Sequence, residues 1–520
     1  MGQRKRVEGP RATPARAGAL LGPALYLFAP VFVRVFATLV LLLPVGASAQ
    51  SMGGPGSVPG SNSSLSTSQV NQAQQQLAGG SGSQVSSDSY KGSMVSGTAT
   101  AGVMDLSLDE AIQRGLKTNL GVILQSSSTL NASGQRLEQL QSLLPTVTGS
   151  GSYDLQQVNL AAYGLKFPGI NPIIGPFQVE EFQASLKQSV FDLPALQNYL
   201  QAKHNFQSAK FTAEDARDMV VLTVGNAYLL CIADAARVEA VKAQLATSKV
   251  SLDQANASHD AGTSPKLDVL RAQVDYQNEQ QSLISTANQL AKDKLALART
   301  IGLPLDQNFA LTDAAPYAAL DHVDPKEAFG QALRNRKDLK ALQESLKAAE
   351  AQKKAAWEKQ LPSADVSGFF GDQGETLGHS HGVYTATGEV TAPILQIAQT
   401  KGDEQVAGAA YTQAEARLSD QVQQINQDIR SSILDIEAAA KLVEATKSNV
   451  DLATEALKES QERFHEGISD NLPVSQAQSQ YEQANDQYIS ALYQHNVAKL
   501  SLARALGVAQ TDYKTYLGGK

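Results

Sequence analysis

From Leu196 to His259 the chain runs without a proline, and nothing in the residue pattern breaks a helix over that distance. As an α-helix at 1.5 Å per residue the segment is about 95 Å long, which no ordinary globular domain accommodates. Val224, Cys231, Val238, Leu245 and Leu252 recur every seven residues along it. That spacing places them in one row of a helix packed side by side against another. After a turn, Val269, Tyr276, Leu283, Leu290 and Leu297 form a second such row that runs back antiparallel. Taken alone, the rows fit a solitary coiled coil as well as a larger helical assembly.

The pattern occurs twice. A helical period that begins at Ala111 reaches Leu144-Pro145, and another that begins at Ala328 reaches Leu361-Pro362, each proline 34 residues on. Gly262 is followed 40 residues later by Gly302 within LALARTIGL, and Gly467 at the same interval by Gly507 within LSLARALGV. The halves are offset by 217 residues in the first comparison and by 205 in the second, so the first half holds a longer insertion between these points. Val422, Ile429, Ile436, Val443, Val450, Leu457 and Phe464 form the seven-residue row of the second half. Four residues before each stand Leu418, Ile425, Ser432, Ala439, Thr446, Ala453 and Ser460. A large-residue seam beside a mostly small one suits close helix packing. Each half is expected to read helix, two strands, very long helix, turn, helix.

Four segments between the helices alternate with period two. Val147, Gly149, Gly151, Tyr153 and Leu155 oppose Thr146, Thr148, Ser150, Ser152, Asp154 and Gln156. Phe182, Ala184, Leu186 and Val190 oppose Glu181, Gln183, Ser185, Lys187 and Ser189. Ala364, Val366, Gly368 and Phe370 oppose Ser363, Asp365 and Ser367, and Tyr384, Ala386, Gly388, Val390 and Ala392 oppose Thr385, Thr387, Glu389 and Thr391. Each segment has about the ten residues that a tilted strand needs to cross a bilayer, one face suited to lipid and the other to water. Four strands cannot close a barrel, and an open edge in lipid leaves backbone groups unpaired at several kcal/mol each. Other copies of the chain must complete the sheet; two copies give eight strands and three give twelve, and this argument does not choose between them.

The N-terminus reads as an export signal over residues 1–49. Arg4, Lys5 and Arg6 precede an apolar stretch from Val35 to Val45, and Ala47-Ser48-Ala49 is a small-residue cleavage site. Residues 50–104, rich in Ser, Gly and Gln, are expected to form a disordered leader. Without residues 1–49 the chain holds 37 basic and 50 acidic residues, a net charge of −13 that disfavours nucleic acid. No further run of 18 apolar residues is present, so any membrane crossing falls to strands. Cys231, the single cysteine, lies on the helical seam and reads as a small core residue.

The duplicated layout, the Leu-Leu-Pro and Gln-Leu-Pro strand entries, the glycine-containing turns and the LALARTIGL and LSLARALGV endings together resemble the TolC outer-membrane efflux family, over roughly residues 105–510. The resemblance implies a mainly α protein with a membrane β-barrel. Its long antiparallel α-helical barrel and four strands per chain are duplicated and completed by trimerisation. On that layout the first repeat spans 105–302, with strands near 146–156 and 179–191 and long helices near 196–261 and 265–301. An equatorial segment spans 303–325. The second repeat spans 326–507, with strands near 363–371 and 383–393 and long helices near 398–466 and 472–506, before a tail at 508–520.

The resemblance further implies a homotrimer set in outer-membrane lipid, with its helical part in the periplasm. A periplasmic adaptor would meet the helical tips, and an inner-membrane transporter would supply the cargo. The tips would be Gly262 to Leu270 and Gly467 to Ser475. In the family an acidic residue about six positions after the glycine helps constrict the duct. Asp268 matches it in the first half, but Pro473 occupies the equivalent place in the second, with Asp470 three residues earlier as the substitute.

His379-Ser380-His381 lacks a third ligand and reads as an exposed loop, so no metal is expected. No nucleophile motif, phosphate loop or Cys/His cluster is present, and neither a cofactor nor an enzyme activity is expected. Trp357, just before the second strand entry, fits a membrane interface or the core. The rival reading, a periplasmic or surface coiled-coil scaffold or adhesin, explains the heptads but not why alternating strands interrupt both halves at matching places.

Overall fold

The computed structural model describes residues 87–165, 168–313, 317–320 and 323–517. The expected signal segment and the leader as far as residue 86 lie outside the described residues. The two halves begin alike, with helix α1 (Leu108–Thr118) and α2 (Leu120–Gln141) in the first and α5 (Pro325–Asn335) and α6 (Lys337–Glu358) in the second. Each pair was expected as one helix, and each is broken at a single residue. Asn119 and Arg336 adopt extended backbone, with ψ of 132° and 124°. The apolar period runs through both breaks and neither carries glycine or proline, so the residue pattern does not announce them.

Side chains fix each break. The Asn119 carboxamide accepts from Gly121 N at 2.9 Å, capping α2, and donates to the Tyr90 carbonyl at 2.6 Å. The buried Arg336 guanidinium donates to Asp428 at 2.9 Å and pairs with Asp338. Burial alone would raise the Asp338 carboxyl, but the Arg336 guanidinium outweighs it and holds the group below the usual carboxylate range.

From strand β2 (Thr146–Asn159) the chain turns into β3 (Ile173–Phe191) and then enters α3 (Leu193–Asp260). Asp192 caps α3 through Ala195 N at 2.9 Å, and a proline occupies its first turn. This 68-residue helix is about 100 Å long. Helix α4 (Lys266–Ile301) returns beside it. The second half repeats the plan with β5 (Ser363–Gly374), β6 (Ser380–Thr391), α7 (Ile397–His465) and α8 (Leu472–Ala505). The 217-residue offset holds through α1 against α5 and α2 against α6, and it falls only after the strands. The insertion therefore lies in the β2–β3 hairpin.

The middle of the molecule holds its main core. Leu106, Ile112, Val220, Tyr228, Cys231, Ile301, Ile425 and Leu502 are buried in one cluster. Cys231 is fully buried, as a small core residue should be; burial and then Asp293 and Asp234 push its thiol up to about 12. An 18-residue stretch of α3 is apolar enough to cross a membrane, with mean hydropathy 1.7, but 50% of that window is buried inside the molecule. The sequence reading found no such run because small and polar residues interrupt it.

The leader does not stay unstructured to residue 104. Met94 N donates to Thr118 O at 2.8 Å and Ser96 N to Gly302 O at 2.9 Å. Strand β1 (Met104–Leu106) then pairs in parallel with β4 (Phe309–Leu311), joining the starts of the two halves. These backbone groups need partners when buried, and the equatorial core supplies them. The expected tail is likewise helical at α9 (Ala509–Tyr516), held by Gln510 N donating to Asp218 at 2.9 Å.

The glycines of the two matching endings now have a cause. Gly302 and Gly507 have φ of 72° and 73°, a left-handed conformation that ends the return helix. They also pack against the breaks. A Cβ on Gly302 would stand 2.6 Å from Thr118 Oγ1, and one on Gly507 would stand 2.9 Å from the Arg336 backbone. Gly507→Ala should therefore cost about 2–3 kcal/mol, against about 1 kcal/mol for Gly467→Ala, where the same φ meets open space. Thermal unfolding in detergent checks this; equal losses at the two positions would remove the packing argument.

Candidate functional site

Two regions carry features that packing does not explain, the four-stranded sheet and the two helix-to-helix turns at the opposite end of α3 and α7. The sheet is antiparallel in the order β2-β3-β5-β6. Its register brings the four alternating apolar sets onto one face. Val147 lies opposite Leu186 and Leu186 opposite Gly368. Ala184 lies opposite Phe370, and Phe370 opposite Tyr384. Thr148, Ser185 and Thr385 share the other face with Thr146, Lys187, Ser367 and Thr387, and with the apolar Phe177, Val179, Phe369 and Val383.

The apolar face is uncovered in the single chain. Val147, Tyr153, Phe370, Tyr384 and Val390 are each more than 60% exposed. Water penalises such a surface, and lipid does not. Toward the hairpin end the same face becomes polar at Glu180 and Asp372, which bounds the apolar band to about ten residues of strand. Beyond it the β2–β3 hairpin continues alone, since β5 pairs no residue of β3 earlier than Glu180. Strands β2 and β6 each keep one unpaired edge.

At the far end the long helices stop at Gly262 and Gly467, with φ of 76° and 71°. Both turns close in the same way. Thr263 N donates to Ser258 O at 2.9 Å, and Ile468 N to Arg463 O at 2.9 Å, a six-to-one bond that satisfies an otherwise orphaned helix carbonyl. His259 adds a contact from Nδ1 to Ser264 O at 3.0 Å, so it serves its own turn, while its counterpart Phe464 packs with Leu252, Ala255 and Ala272. That small cluster ties one hairpin to the other.

Asp268 and Asp470 meet at a residue the sequence reading missed. Asp268, in the first turn of α4, has a side chain only 4% exposed and lies 3.7 Å from Arg271 Nη1. The same nitrogen is 3.8 Å from Asp470 of the other turn. Arg271 thus stands between two carboxylates from different halves. The signal was available, because an acid and a base three residues apart share a helix face. Pro473 is exposed in the first turn of α8, where its fixed φ starts the helix and its missing N–H is no loss.

About three turns beyond Asp268 on α4, burial and then Glu482 of α8 and Asp275 push the Glu279 carboxyl up to about 7. His379 and His381 are exposed, and among the described residues no three His, Cys, Asp or Glu side chains converge as metal ligands do. Trp357 is 56% exposed, so it is not a core residue of the single chain.

Comparison with known proteins bears on the family and the fold. The sequence model of the family described as "Outer membrane efflux protein" (OEP) matches residues 123–303 and again 328–508, two matches that begin 205 residues apart. The toluene efflux pump outer membrane protein TtgF of Pseudomonas putida is 25% identical over 321 residues, covering 60% of this chain and 64% of that protein. The chain thus spans just under two thirds of that relative's length. The toluene efflux pump outer membrane protein TtgC of the same species is 22% identical over 419 residues, covering 78% of this chain and 83% of that protein. In fold, the chain matches the outer membrane protein VceC of Vibrio cholerae with a TM-score of 0.68 at 18% identity, over 78% of this chain and 96% of that one.

A lysine in the apolar band is expected to cost about 2–4 kcal/mol in a bilayer. Phe370→Lys should therefore reduce insertion into lipid vesicles severalfold, while Thr385→Lys on the opposite face inserts normally. Equal insertion of the two variants would remove the distinction between the faces.

Proposed function

Because this chain belongs to the outer membrane efflux protein family, we propose that it forms the exit duct of a three-part export machine. The duct is passive. It leads from the periplasm to the exterior and takes its cargo from an inner-membrane transporter through a periplasmic adaptor. The observation that carries this reading is the sheet, with its lipid-compatible face exposed and both edge strands unpaired.

Each unpaired edge in hydrocarbon costs several kcal/mol per backbone group, so copies must join β2 of one to β6 of the next. Three copies make a barrel of twelve strands, with the polar face lining a water-filled passage. The long helices of the copies then continue that passage for about 100 Å away from the membrane. Trp357, where α6 gives way to the sheet, suits the membrane–water boundary on the periplasmic side.

The tips are the proposed gate, with Gly262 and Gly467 forming the turns and Asp268, Asp470 and Pro473 flanking them. Arg271 holds the two turns together through both carboxylates. Opening requires the hairpins to part, and an adaptor that binds the parted form better shifts the population toward it. The buried hydroxyls of Ser264 and Ser469 and the side-chain Oδ1 of Asn471 find no hydrogen-bond partner among the described residues.

The two ion pairs are long and partly exposed, so each contributes no more than about 1 kcal/mol. Single-channel recording on lipid bilayers tests the gate. Arg271→Ala is expected to raise conductance or open probability several-fold, and Asp268→Ala to reduce the preference for cations. If both variants conduct and select as the parent does, the constriction lies elsewhere. An osmotic wash tests the duct itself: a scaffold would be released, whereas this protein should require detergent.

A further inference from the structure

Helix α8 carries two titratable side chains that the duct does not use. Lys499 is fully buried, and Nζ donates at 3.0 Å to the carbonyl of Ala318 in the segment joining the two halves. One turn earlier, His495 is 1% exposed, and neither ring nitrogen has a hydrogen-bond partner among the described residues. The Tyr317 ring, beside Ala318, lies over the His495 imidazole with centroids 5.0 Å apart. Residues 317–320 thus lie against one buried amine and one buried imidazole, with Leu320 packed against the main core.

No carboxylate among the described residues compensates them. The packed elements carry Asp234 and Arg237 on α3, Asp293 on α4 and Asp486 on α8 itself. Arg237 pairs with Asp234 at 2.8 Å and with Asp486 at 2.7 Å, and Asp293 bonds Gln289 at 2.7 Å. Asp234 and Asp293 act on Tyr493, and neither acts on His495. Helix α7 places no charge that acts on either group. Burial, and then the Lys499 ammonium, lowers the imidazole to about 4; burial lowers the amine to about 8.

We propose that residues 317–320 form an acid-released latch on α8, held closed while His495 is neutral and opened when a second cation forms beside Lys499. The segment is the covalent link between the halves, and α8 runs from the tips to the equator. Opening the latch therefore frees the upper end of a helix whose lower end stands at the proposed gate. A periplasm-facing protein meets external acid directly, so the latch would register it.

The closed form binds a proton on His495 more weakly than the open form, whose imidazole titrates near its ordinary 6.5. The His495 contribution to closure is therefore constant above about pH 6.5 and weakens as pH falls from there toward about 4, below which nothing further is lost. By pH 5 the open-to-closed ratio should rise roughly tenfold or more.

The test uses the full-length protein in detergent with a nitroxide on Ala319→Cys, an exposed position. Cys231 is fully buried and will not compete for the label. Electron paramagnetic resonance should show a mobile component that grows reversibly between pH 7 and 4. With His495→Phe, which keeps the ring contact but cannot titrate, the spectrum should be independent of pH. Lys499→Met, which removes the neighbouring cation, should make the response smaller. A parent spectrum unchanged to pH 4 would overturn the latch. So would a pH response of the same size in His495→Phe, or, should that variant fail to fold, in Lys499→Met.

Discussion

A strand in hydrocarbon must have both of its hydrogen-bonding edges satisfied, and this chain supplies only four strands with two edges left over. Much else depends on that shortage. On the proposed reading it brings copies of the chain together, and those copies present matching surfaces along the rest of their length. That accounts for Leu130, Leu434 and Leu452, which stay more than 60% exposed on long helices whose other faces are packed. It also accounts for the scarcity of buried large residues in the sheet. The sheet has no core of its own; one face is apolar and uncovered, and the other is mainly polar.

The duplication solves a second problem, that of holding helices about 100 Å long in one register. Heptad packing along α3, α4, α7 and α8 is repetitive and tolerates slippage. The equator supplies what the heptads lack. There β1 pairs with β4, Gly302 and Gly507 seat against the breaks at Asn119 and Arg336, and Arg336 reaches α7 through Asp428. Buried ion pairs of this kind add little net stability but specify arrangement, since removing one partner leaves a charge stranded. Arg504 against Asp215 at 2.7 Å repeats the device between α8 and α3.

Most of the fold was legible because its signals are periodic. Seven-residue rows from Val224 and Val422 and two-residue alternation from Val147 and Tyr384 need only the side-chain pattern. The breaks at Asn119 and Arg336 were not legible, because they depend on partners far away in sequence, Tyr90 and Asp428. Residues 87–104 were misread for the same reason. Their Ser- and Gly-rich composition resembles a linker, yet the equatorial core offers partners to the backbone N–H groups of Met94, Ser96, Thr100 and Met104. At the tips the glycines could be read directly, whereas Arg271 was overlooked because its second partner, Asp470, belongs to the other half. His495 and Lys499 look like surface residues until the joining segment is laid over them.

The central claim is that the sheet closes between copies, three to a barrel. Cysteine at Ser150 of β2, scanned against cysteines at successive positions from Thr385 to Glu389 of β6, tests it in intact outer membranes. The account predicts that an oxidant links chains at alternate positions, and that the products end at a species of three chains. Chains that remain single at every position while still embedded in the membrane would contradict it.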